Sequence, residues 1–509
     1  MQLVNKQFDV VIVGAGPVGL VAANLLGLYQ IKTLVLEKHT HPFSYPRAVA
    51  IDDEALRTLK LCGFLQTEID SLVTPARVEY FMLDGYRYFD PDPTIKPYGH
   101  PVYSSFLQPN LEKILRQKIH THRSVTLMPD CEFQEYAQHI GEPLHITFVA
   151  KNQDLQCITS QFLLGCDGAH SAVRSCAHFT LQGSTQRHKW LVLDVIDSKA
   201  IQEKLLFLQT MMKRKEAFVT INLPEGLRRI EIQLRDTDAV SLEQFTKQHM
   251  MAVLGRYFNG IEMTIIRHQI YARHYRIINQ FNEKNVFFLG DAAHLIPPTG
   301  GQGMCTGIAD AANLCWKLAA VLHGRVDESL LASYATERRQ GIERVIQFVK
   351  KISTLSIKKS NKPENGCHIT TRRYLALKKT PHYNTGFFYP SKFAGHFLPQ
   401  PWIKALDGRK VLLDVLLGKT FIIIGIDLPS EEVFSQELKT FWKKMGGHFL
   451  MLNTQKYRSC ALAPHHVVLD EHVAMFDDLD HNVLFVRPDR FILGSCHHEE
   501  ISTLIAAGL

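Results

Sequence analysis

Six residues near the N-terminus combine three glycines at a chemically useful spacing. They are Gly14, Ala15, Gly16, Pro17, Val18 and Gly19. In such a segment the first glycine permits a tight turn, the second lets a pyrophosphate approach the backbone, and the third lets a helix pack on a strand. The N-terminus of that helix offers unpaired N–H groups and the positive end of a dipole. The segment therefore predicts dinucleotide binding.

The flanking elements complete this nucleotide cradle. Residues 8–13 form a short, β-branched and almost wholly apolar run, which is typical of a strand buried on both faces of a parallel sheet. Residues 20–29 continue as an apolar helix, and a second strand over 32–37 ends at Glu37. The Glu37 carboxylate can accept hydrogen bonds from ribose hydroxyls. Strand, glycines, helix and acid together predict FAD or NAD, without choosing between them.

Two further motifs follow later in the chain. Residues 163–174 read as an apolar strand, then Asp167 and Gly168, then the start of a helix near Ser171. A third strand leads into Gly290 and Asp291. The glycine- and proline-rich loop 297–303 follows, and a long helix is predicted from about residue 306 to 322.

The three motifs, in this order and at these separations, resemble those of the single-component FAD-dependent aromatic hydroxylases of the para-hydroxybenzoate hydroxylase fold. Within this group the chain most resembles 3-(3-hydroxyphenyl)propionate hydroxylases and related phenol-type monooxygenases. Residues 45–48, residues 51–57 and the Gln108-Pro109 pair carry that subgroup likeness. The resemblance covers residues 8–345 well and the remainder more loosely.

The resemblance implies that the cofactor is FAD. Besides the glycine-rich segment, it implies contacts from Glu37, Lys38, Arg47, Gln108, Asp167, Gly168, Gly290, Asp291, Pro298, Gly301, Gln302, Gly303, Met304 and Cys305. Within that set Glu37 would hold the adenosine ribose, Asp291 the ribityl chain, and Asp167 both FAD and the nicotinamide cofactor. Cys305 is a departure, because some relatives carry Asn there, and it affects only the fine tuning of the flavin.

The same resemblance implies a reaction. NADH or NADPH reduces FAD, oxygen adds at the flavin C4a position, and the resulting hydroperoxide hydroxylates a small aromatic compound, such as a phenolic acid. No second glycine-rich fingerprint is present for the nicotinamide cofactor. The alternatives are a same-fold oxidoreductase that performs epoxidation, dehydrogenation or halogenation, and a flavin-binding protein without turnover.

The catalytic candidates are fewer. Pro298 lies in the loop expected to roof the chemistry and offers a carbonyl without an N–H. A phenol reacts faster as phenolate, and Tyr271 and His274 are candidates to remove its proton, although ordinary packing or surface roles fit both. Arg229 matches a family position near the mobile flavin, against the alternative of a surface arginine at a strand edge. Asp53 is expected to be a helix N-cap.

The predicted fold class is α/β with three units. An FAD-binding domain of Rossmann-like fold takes residues 1–75, 101–180 and 270–345. Residues 76–100 and 181–269 alternate polar and apolar positions, which predicts an inserted antiparallel sheet that binds substrate. Residues 346–400 read as helix and linker. Residues 401–509 resemble a thioredoxin-like domain, and they lack the CxxC motif that thiol–disulfide catalysis uses.

Composition narrows the remaining possibilities. The net charge of +7 over 509 residues comes without a long basic run, so no nucleic-acid partner is expected. Ten cysteines without recurring spacing fit a reducing cytoplasm. No membrane insertion and no metal site are expected. Residues 497–500 (His-His-Glu-Glu) are set aside because neighbouring side chains should point apart. A homodimer is possible.

Overall fold

The structure is a computed structural model. It describes residues 6–82, 85–139, 141–151, 154–197, 201, 203, 218–234, 246–258, 261, 263–355, 367–405, 407–454, 467–471, 473–479 and 482–501.

The helices of the described part fall in every region of the chain. They are α1 (Pro17–Leu28), α2 (Asp53–Leu61), α3 (Gln66–Leu72), α4 (Gln108–Ile119), α5 (Ala172–Cys176), α6 (Lys247–Phe258), α7 (Gln302–Leu322), α8 (Ala332–Leu355), α9 (Thr371–Lys378), α10 (Asp414–Leu417), α11 (Gln436–Lys444) and α12 (Ala474–Asp477). Short 3₁₀ turns span Pro224–Gly226, Gly290–Ala292, Glu328–Leu331, Glu431–Val433 and His498–Glu500.

The strands form three large sheets and one small one. They are β1 (Gln7–Val13), β2 (Thr33–Leu36), β3 (Ala50–Asp52), β4 (Val73–Pro75), β5 (Val78–Met82), β6 (Gly85–Phe89), β7 (Tyr103–Phe106), β8 (Val125–Met128), β9 (Glu132–Ala137), β10 (Leu144–Val149), β11 (Leu155–Gly165), β12 (Leu181–Ile196), β13 (Phe218–Asn222), β14 (Leu227–Gln233), β15 (Ile265–Ile278), β16 (Asn282–Glu283), β17 (Val286–Phe288), β18 (His294–Leu295), β19 (Cys367–Ile369), β20 (Trp402–Lys404), β21 (Lys410–Leu412), β22 (Ile422–Ile426), β23 (His448–Asn453), β24 (Val467–Leu469), β25 (Asn482–Val486) and β26 (Ile492–His497).

The first sheet has a parallel centre in the order β17-β11-β1-β2-β8. Its strands are nearly continuous apolar runs, and β2 is buried throughout, as expected for a parallel sheet covered on both faces. The three sequence motifs follow the C-terminal ends of β1, β11 and β17. Because β1 and β17 both pair with β11 in parallel, all three motifs emerge at one edge of the sheet. That edge is where open α/β sheets bind ligands.

The second sheet has the order β18-β15-β12-β14-β13-β5-β6-β19. It is antiparallel except for the β6–β19 pair at its edge. Successive side chains of each strand point to opposite faces of the sheet. Leu191, Leu193, Ile230, Ile232 and Ile270 pack in one cluster with apolar residues of α6. The intervening positions of β12, β14 and β15 carry charged side chains on the opposite face, where they form ion pairs between strands.

The C-terminal sheet has the order β21-β20-β24-β23-β22-β25-β26. β22 pairs in parallel with β23 and antiparallel with β25. Residues 431–433 form a 3₁₀ turn, and α11 begins at Gln436, capped by the Ser435 side chain.

Buried ion pairs join this C-terminal unit to the helices behind the first sheet. Arg487 follows β25, is fully buried, and donates to Glu337 of α8 and to Asp489. Lys317 of α7 lies 2.9 Å from the same Glu337 carboxylate. Nowhere in the described part of the chain is a helix both long and apolar enough to cross a bilayer.

Candidate active site

Three sequence-distant motifs meet at the edge of the first sheet. Gly14 has φ of +102°, and a Cβ there would lie 2.5 Å from the carbonyl oxygen of Cys166. A Cβ on Gly290 would lie 3.0 Å from the Val18 side chain. The glycines therefore allow the first motif to touch the second on one side and the third on the other. The tertiary structure brings together three motifs that follow one another at separations of about 150 and about 120 residues in the sequence.

The glycines of the first motif have different physical tasks. A Cβ on Gly19 would lie 2.0 Å from the Gly14 carbonyl oxygen, so both positions are required for the chain to fold as it does. Nothing in the protein lies within 4 Å of a Cβ built on Gly16. Gly16 thus faces open space at the N-terminus of α1, where Pro17 is the first helical residue. This is the place where a pyrophosphate would lie against backbone N–H groups.

Glu37 closes the other side of this space. Its carboxylate accepts from the backbone N–H of Ala15 at 2.7 Å and from that of His39 at 2.9 Å. The carboxylate therefore holds the glycine turn and remains partly exposed for a further donor. Lys38 is exposed beside it.

The segment 46–48 is held from two directions. Gln108 is buried, and its Oε1 accepts from the N–H groups of Arg47 and Ala48 at 3.2 and 2.7 Å. Arg229 donates to the carbonyls of Arg47 and Pro46 at 2.8 and 2.6 Å. The Arg47 side chain itself is exposed and lies over the Phe43 ring, so its backbone is fixed while its guanidinium stays available.

Arg229 is not a surface residue, and the strand-edge interpretation was wrong. It is 4% exposed on β14, which lies between β12 and β13 in the middle of the sheet. Its guanidinium makes two hydrogen bonds with Asp194, at 2.8 and 2.9 Å, besides the two with carbonyls. Four of its five N–H donors are thereby used. Arg267 of β15 donates to the same Pro46 carbonyl at 2.8 Å.

The second motif contributes a carboxylate with an unsatisfied oxygen. Asp167 Oδ2 accepts from the N–H of Val173 at 3.1 Å, whereas its buried Oδ1 has no partner within the described part of the chain. Burial raises the pKa of this carboxyl above its usual value. Gly168 follows with φ of +84°. A buried oxygen without a partner is costly, and a ligand donor at this position would satisfy it.

The third motif is held by a buried acid on α7. Asp310 Oδ2 accepts from the N–H of Gly290 at 2.9 Å and lies 2.7 Å from His294 Nε2. Arg338 of α8 donates to the other oxygen at 2.6 Å. Asp291 itself is exposed, yet the surrounding protein raises the pKa of its carboxyl by desolvation. The Asp291 carboxyl is therefore accessible to a ligand although the surrounding protein desolvates it.

Helix α7 begins four residues earlier than predicted, at Gln302. Its N-cap, Gly301, has φ of +66°, and a Cβ there would lie 2.6 Å from that of Ala50. Gln302 is buried and donates to Asp52, whereas Gly303 and Met304 are half-buried and Cys305 is buried. The first turn of α7 therefore presents its free N–H groups to the cleft that the three motifs surround.

The loop before α7 meets the polar face of the second sheet. Pro298 is exposed, but its carbonyl already accepts from the N–H of Gly301 at 2.8 Å. Arg273 of β15 donates to Thr299 at 3.2 Å and to Glu231 at 3.2 Å, and it stacks 3.4 Å over the Trp190 ring.

The two candidates for proton removal lie on opposite faces of β15. Tyr271 shares the face of Arg273 and donates to Glu231 at 2.8 Å. Burial and the Glu231 charge raise the pKa of Tyr271, so its phenol stays neutral. His274 is on the other face, where its Nδ1 lies 2.9 Å from the Thr185 hydroxyl. Only Tyr271 therefore faces the loop of the third motif.

Two smaller sequence predictions were wrong. The N-cap of α2 is Asp52, which accepts from the N–H of Ala55, and Asp53 is the first helical residue. The expectation that His497 and its neighbours point apart also fails, because potential ligand atoms of His497, His498 and Glu499 all lie within 4.8 Å of one another.

Comparisons with known proteins agree with this geometry. The family described as FAD binding domain matches residues 7–349, and the family described as HcaD C-terminal domain matches residues 395–508. The 3-(3-hydroxy-phenyl)propionate/3-hydroxycinnamic acid hydroxylase of Mycobacterium sp. (strain JLS) is 30% identical, over 98% of this chain and 91% of that protein. A protein called 3-(3-hydroxy-phenyl)propionate/3-hydroxycinnamic acid hydroxylase 2, from Burkholderia vietnamiensis (strain G4 / LMG 22486), is 29% identical, with 99% and 96% covered.

Solved structures share the fold at lower identity. The flavin-dependent monooxygenase PieE, in complex with FAD and substrate, has a TM-score of 0.77 and 18% identity, with 98% of each chain covered. Aklavinone-11 hydroxylase, in a complex with FAD and aklavinone, also has a TM-score of 0.77 and 18% identity, with 97% and 96% covered. This chain belongs to the FAD-dependent aromatic hydroxylases.

The residues of this hydroxylase fit FAD on structural grounds. Gly16 leaves space beside a helix N-terminus, Asp167 has a buried oxygen without a partner among the described residues, and the Asp291 carboxyl is exposed but desolvated. These features would suit a pyrophosphate, hydroxyl donors and a ribityl chain respectively.

Sequence reasoning missed the supports of the hydroxylase site. Asp194 and Arg267 hold the segment 46–48 together with Arg229, and Asp310 with Arg338 holds the third motif. One signal was available: Asp310 and Lys317 are the only two charged residues within the otherwise apolar or neutral sequence of α7. A charge in such a helix needs a buried partner.

Proposed function

We propose that this hydroxylase adds one oxygen atom from O2 to a phenolic or other aromatic small molecule, with NADH or NADPH as the reductant. A phenolic acid is the favoured substrate, because the curated relatives that match over nearly the whole chain carry the names of hydroxyphenyl-propionate and hydroxycinnamic acid hydroxylases. FAD, when bound between the three motifs, supplies the electron transfer and the activation of oxygen.

The observation that carries this proposal is the polar face of the second sheet. Tyr271, Glu231 and Arg273 lie on that face, and Arg273 reaches Thr299 in the loop that precedes α7. An aromatic ring bound here would lie between the sheet and the cleft of the three motifs. We therefore assign substrate binding to the polar face of the second sheet.

Tyr271 and Glu231 provide a route for the phenol proton. The neutral Tyr271 oxygen accepts the proton of the substrate hydroxyl while its own proton passes to Glu231, 2.8 Å away. Arg273, whose ion pair with Glu231 is 3.2 Å long, holds that carboxylate in place. A substrate that loses its proton in this way is a better nucleophile toward an electrophilic oxygen. Pro298 and Thr299 would help to keep water out of the same space.

The remaining units have proposed roles as well. The C-terminal strands run in the order β23-β22-β25-β26, with a helix between β22 and β23. We propose a thioredoxin-like domain with a structural or dimer-forming role on this basis. Eight cysteines in the described part of the chain are free, which supports our proposal of a cytoplasmic location.

The test is NADH and NADPH oxidation by the FAD-loaded protein, with and without a panel of phenols and hydroxyphenyl acids. We expect one compound to accelerate oxidation by an order of magnitude or more, and its product to gain one oxygen atom by mass spectrometry. A flavin that is never reduced indicates binding without turnover. A product without added oxygen indicates dehydrogenation or another reaction on the same fold.

Tyr271→Phe tests the proton route, with His274→Ala as its control on the opposite face of β15. We expect Tyr271→Phe to lower the rate of hydroxylation by about 10²-fold or more and to steepen its dependence on pH, because deprotonation of the free phenol then limits the rate. His274→Ala should leave both unchanged. Equal effects of the two substitutions would exclude this role for Tyr271.

A further inference from the structure

A lysine outside the FAD binding domain match contacts three consecutive acids at the start of α2. Lys378 ends α9, beyond the match over residues 7–349. Its Nζ lies 2.9 Å from Asp52, 3.4 Å from Asp53 and 2.8 Å from Glu54. We call these four residues the Lys378 cluster. Lys378 and both aspartates are buried, so the cluster is an internal ion-pair network rather than a surface feature.

A hydrogen bond from the first residue of α7 joins the cluster to the cleft. Gln302 Nε2 donates to Asp52 Oδ2 at 3.3 Å, the same oxygen that Lys378 contacts. A second bond runs from Gln302 Nε2 to the Gly300 carbonyl at 3.1 Å. The other oxygen of Asp52 caps α2 through the N–H of Ala55. Asp52 is therefore fixed between α2, α9 and the first residue of α7.

The charges in the cluster explain why the lysine is needed. Burial opposes ionisation of Asp52, but Lys378 and the hydrogen bonds to Ala55 and Gln302 hold its pKa below the usual value. Burial raises the pKa of Asp53 to about 7, although Lys378 opposes that rise. The Asp53 Oδ2 atom has no partner in the described part of the chain. One positive charge thus keeps Asp52 ionised beside neighbours of the same sign.

Other titratable groups that face the cluster do not take over this role. Burial raises the pKa of the Cys305 thiol on α7 and of the Tyr98 phenol, so both stay neutral. Arg344 of α8 interacts with Glu54, and burial lowers the pKa of its guanidinium. Tyr374 lies on the same helix as Lys378 and contributes to raising the pKa of its ammonium group. Cys305 also interacts with Asp52, but as a neutral thiol it supplies no positive charge that could replace that of Lys378.

We propose that Lys378 is a positioning residue for FAD: Lys378 keeps Asp52 charged, and Asp52 in turn fixes Gln302 at the start of α7. The segment between the two family matches thereby supports the flavin site through Lys378, without contacting FAD itself. The inference depends on FAD binding and is independent of which substrate the enzyme hydroxylates.

The experiment measures FAD affinity of the apoprotein by quenching of flavin fluorescence, from about pH 5.5 to pH 8.5. Without Lys378, burial governs Asp52, whose pKa then rises, and the carboxyl takes up a proton as the pH falls. We expect Lys378→Met to raise the Kd for FAD by about ten- to a hundredfold, with the loss growing toward low pH. The wild-type Kd should vary little over this range. Lys378→Arg should restore most of the affinity.

Lys379→Met is the matched control, because Lys379 is the adjacent lysine and is exposed. It should leave the FAD affinity and its pH profile unchanged. A folded Lys378→Met protein with wild-type affinity and a flat profile would overturn the proposal. So would a loss of affinity that is independent of pH and equal in Lys379→Met.

A second comparison covers the case in which Lys378→Met does not fold. Lys378→Gln and Gln302→Leu are combined, and the Kd for FAD is measured for each variant and for the pair. If Lys378 acts through Gln302, the lysine substitution adds little once Gln302 is replaced. Additive effects of the two substitutions would refute the proposed connection.

Discussion

Replacement of Arg229 should separate the stability of this protein from its affinity for FAD. Arg229→Met removes two hydrogen bonds to Asp194 and two to the carbonyls of Pro46 and Arg47. Asp194 is 2% exposed, and among the residues that the structure describes it would keep only Arg267, at 3.7 Å, as a partner of opposite charge. Breaking a buried pair from one side costs about 3–5 kcal/mol, so we expect a clear fall in the melting temperature.

The same substitution releases one side of the segment 46–48. A hydrogen bond from a charged group contributes about 1.5–3 kcal/mol, and a tenfold change in Kd corresponds to about 1.4 kcal/mol. Loss of the two carbonyl anchors should therefore weaken FAD binding by about tenfold or more, because Arg47 is no longer held in position. Gln108, which binds the N–H side of the segment, limits the loss.

The double variant Arg229→Met with Asp194→Leu distinguishes the two effects. It removes both buried charges, and such apolar replacements are often neutral or stabilising. The melting temperature should then return most of the way to the wild-type value, whereas the Kd for FAD should stay raised. Thermal unfolding and flavin fluorescence measure the two quantities on the same samples.

The control is Arg228→Met on the same strand. Arg228 pairs with Asp197 at 2.8 Å and makes no hydrogen bond to residues 46–48. It should lower stability only modestly and leave FAD affinity unchanged. If affinity recovers together with stability in the double variant, Arg229 acts on the fold alone and the reasoning is refuted.

Three further predictions concern the cradle and its supports. Gly16→Ala should leave the melting temperature of the apoprotein unchanged, because its Cβ meets open space, but it should lower FAD affinity, because that space is where the pyrophosphate would lie. Gly14→Ala places a Cβ 2.5 Å from a carbonyl oxygen and should destabilise the apoprotein itself. Equal melting temperatures of the two variants would contradict this prediction. Asp310→Asn should weaken FAD binding by about tenfold, since the Gly290 N–H and the Arg338 guanidinium both donate to that carboxylate, and unchanged flavin fluorescence titrations would count against it. Burial opposes ionisation of the Glu337 carboxyl, but Arg487 holds the pKa of that carboxyl below its usual value. The charged Glu337 therefore stabilises the fold above the unfolded pKa of about 4.3, and this stabilisation is lost as the pH falls through the pKa in the folded state. Glu337→Gln should therefore lower the melting temperature at pH 7. The difference in melting temperature between variant and wild type should become smaller in strong acid, which thermal unfolding measured over a range of pH will test.

The sequence by itself determined the parts of this protein that depend on local patterns. Glycine spacing after the apolar run 8–13 predicts the strand, turn and helix, because only glycine tolerates the positive φ of Gly14 and the close approach at Gly19. Alternation in residues 229–234 predicts a half-buried strand, and β14 spans Leu227–Gln233. The motifs also allowed the family to be predicted, because their order and spacing along the chain are properties of the sequence.

Only the tertiary structure decided which charged groups act on the cleft. Arg229, Asp194 and Arg267 come from three strands, and Lys378 reaches Asp52 across 326 residues of sequence. Tyr271 and His274 are three residues apart, yet the pairing of β15 within the sheet places them on opposite faces. The energy of a buried charge depends on the dielectric and the partners around it, and both are set by packing between distant segments. Local sequence patterns carry no record of those partners, which is why the chemistry of the cradle was readable and its supporting network was not.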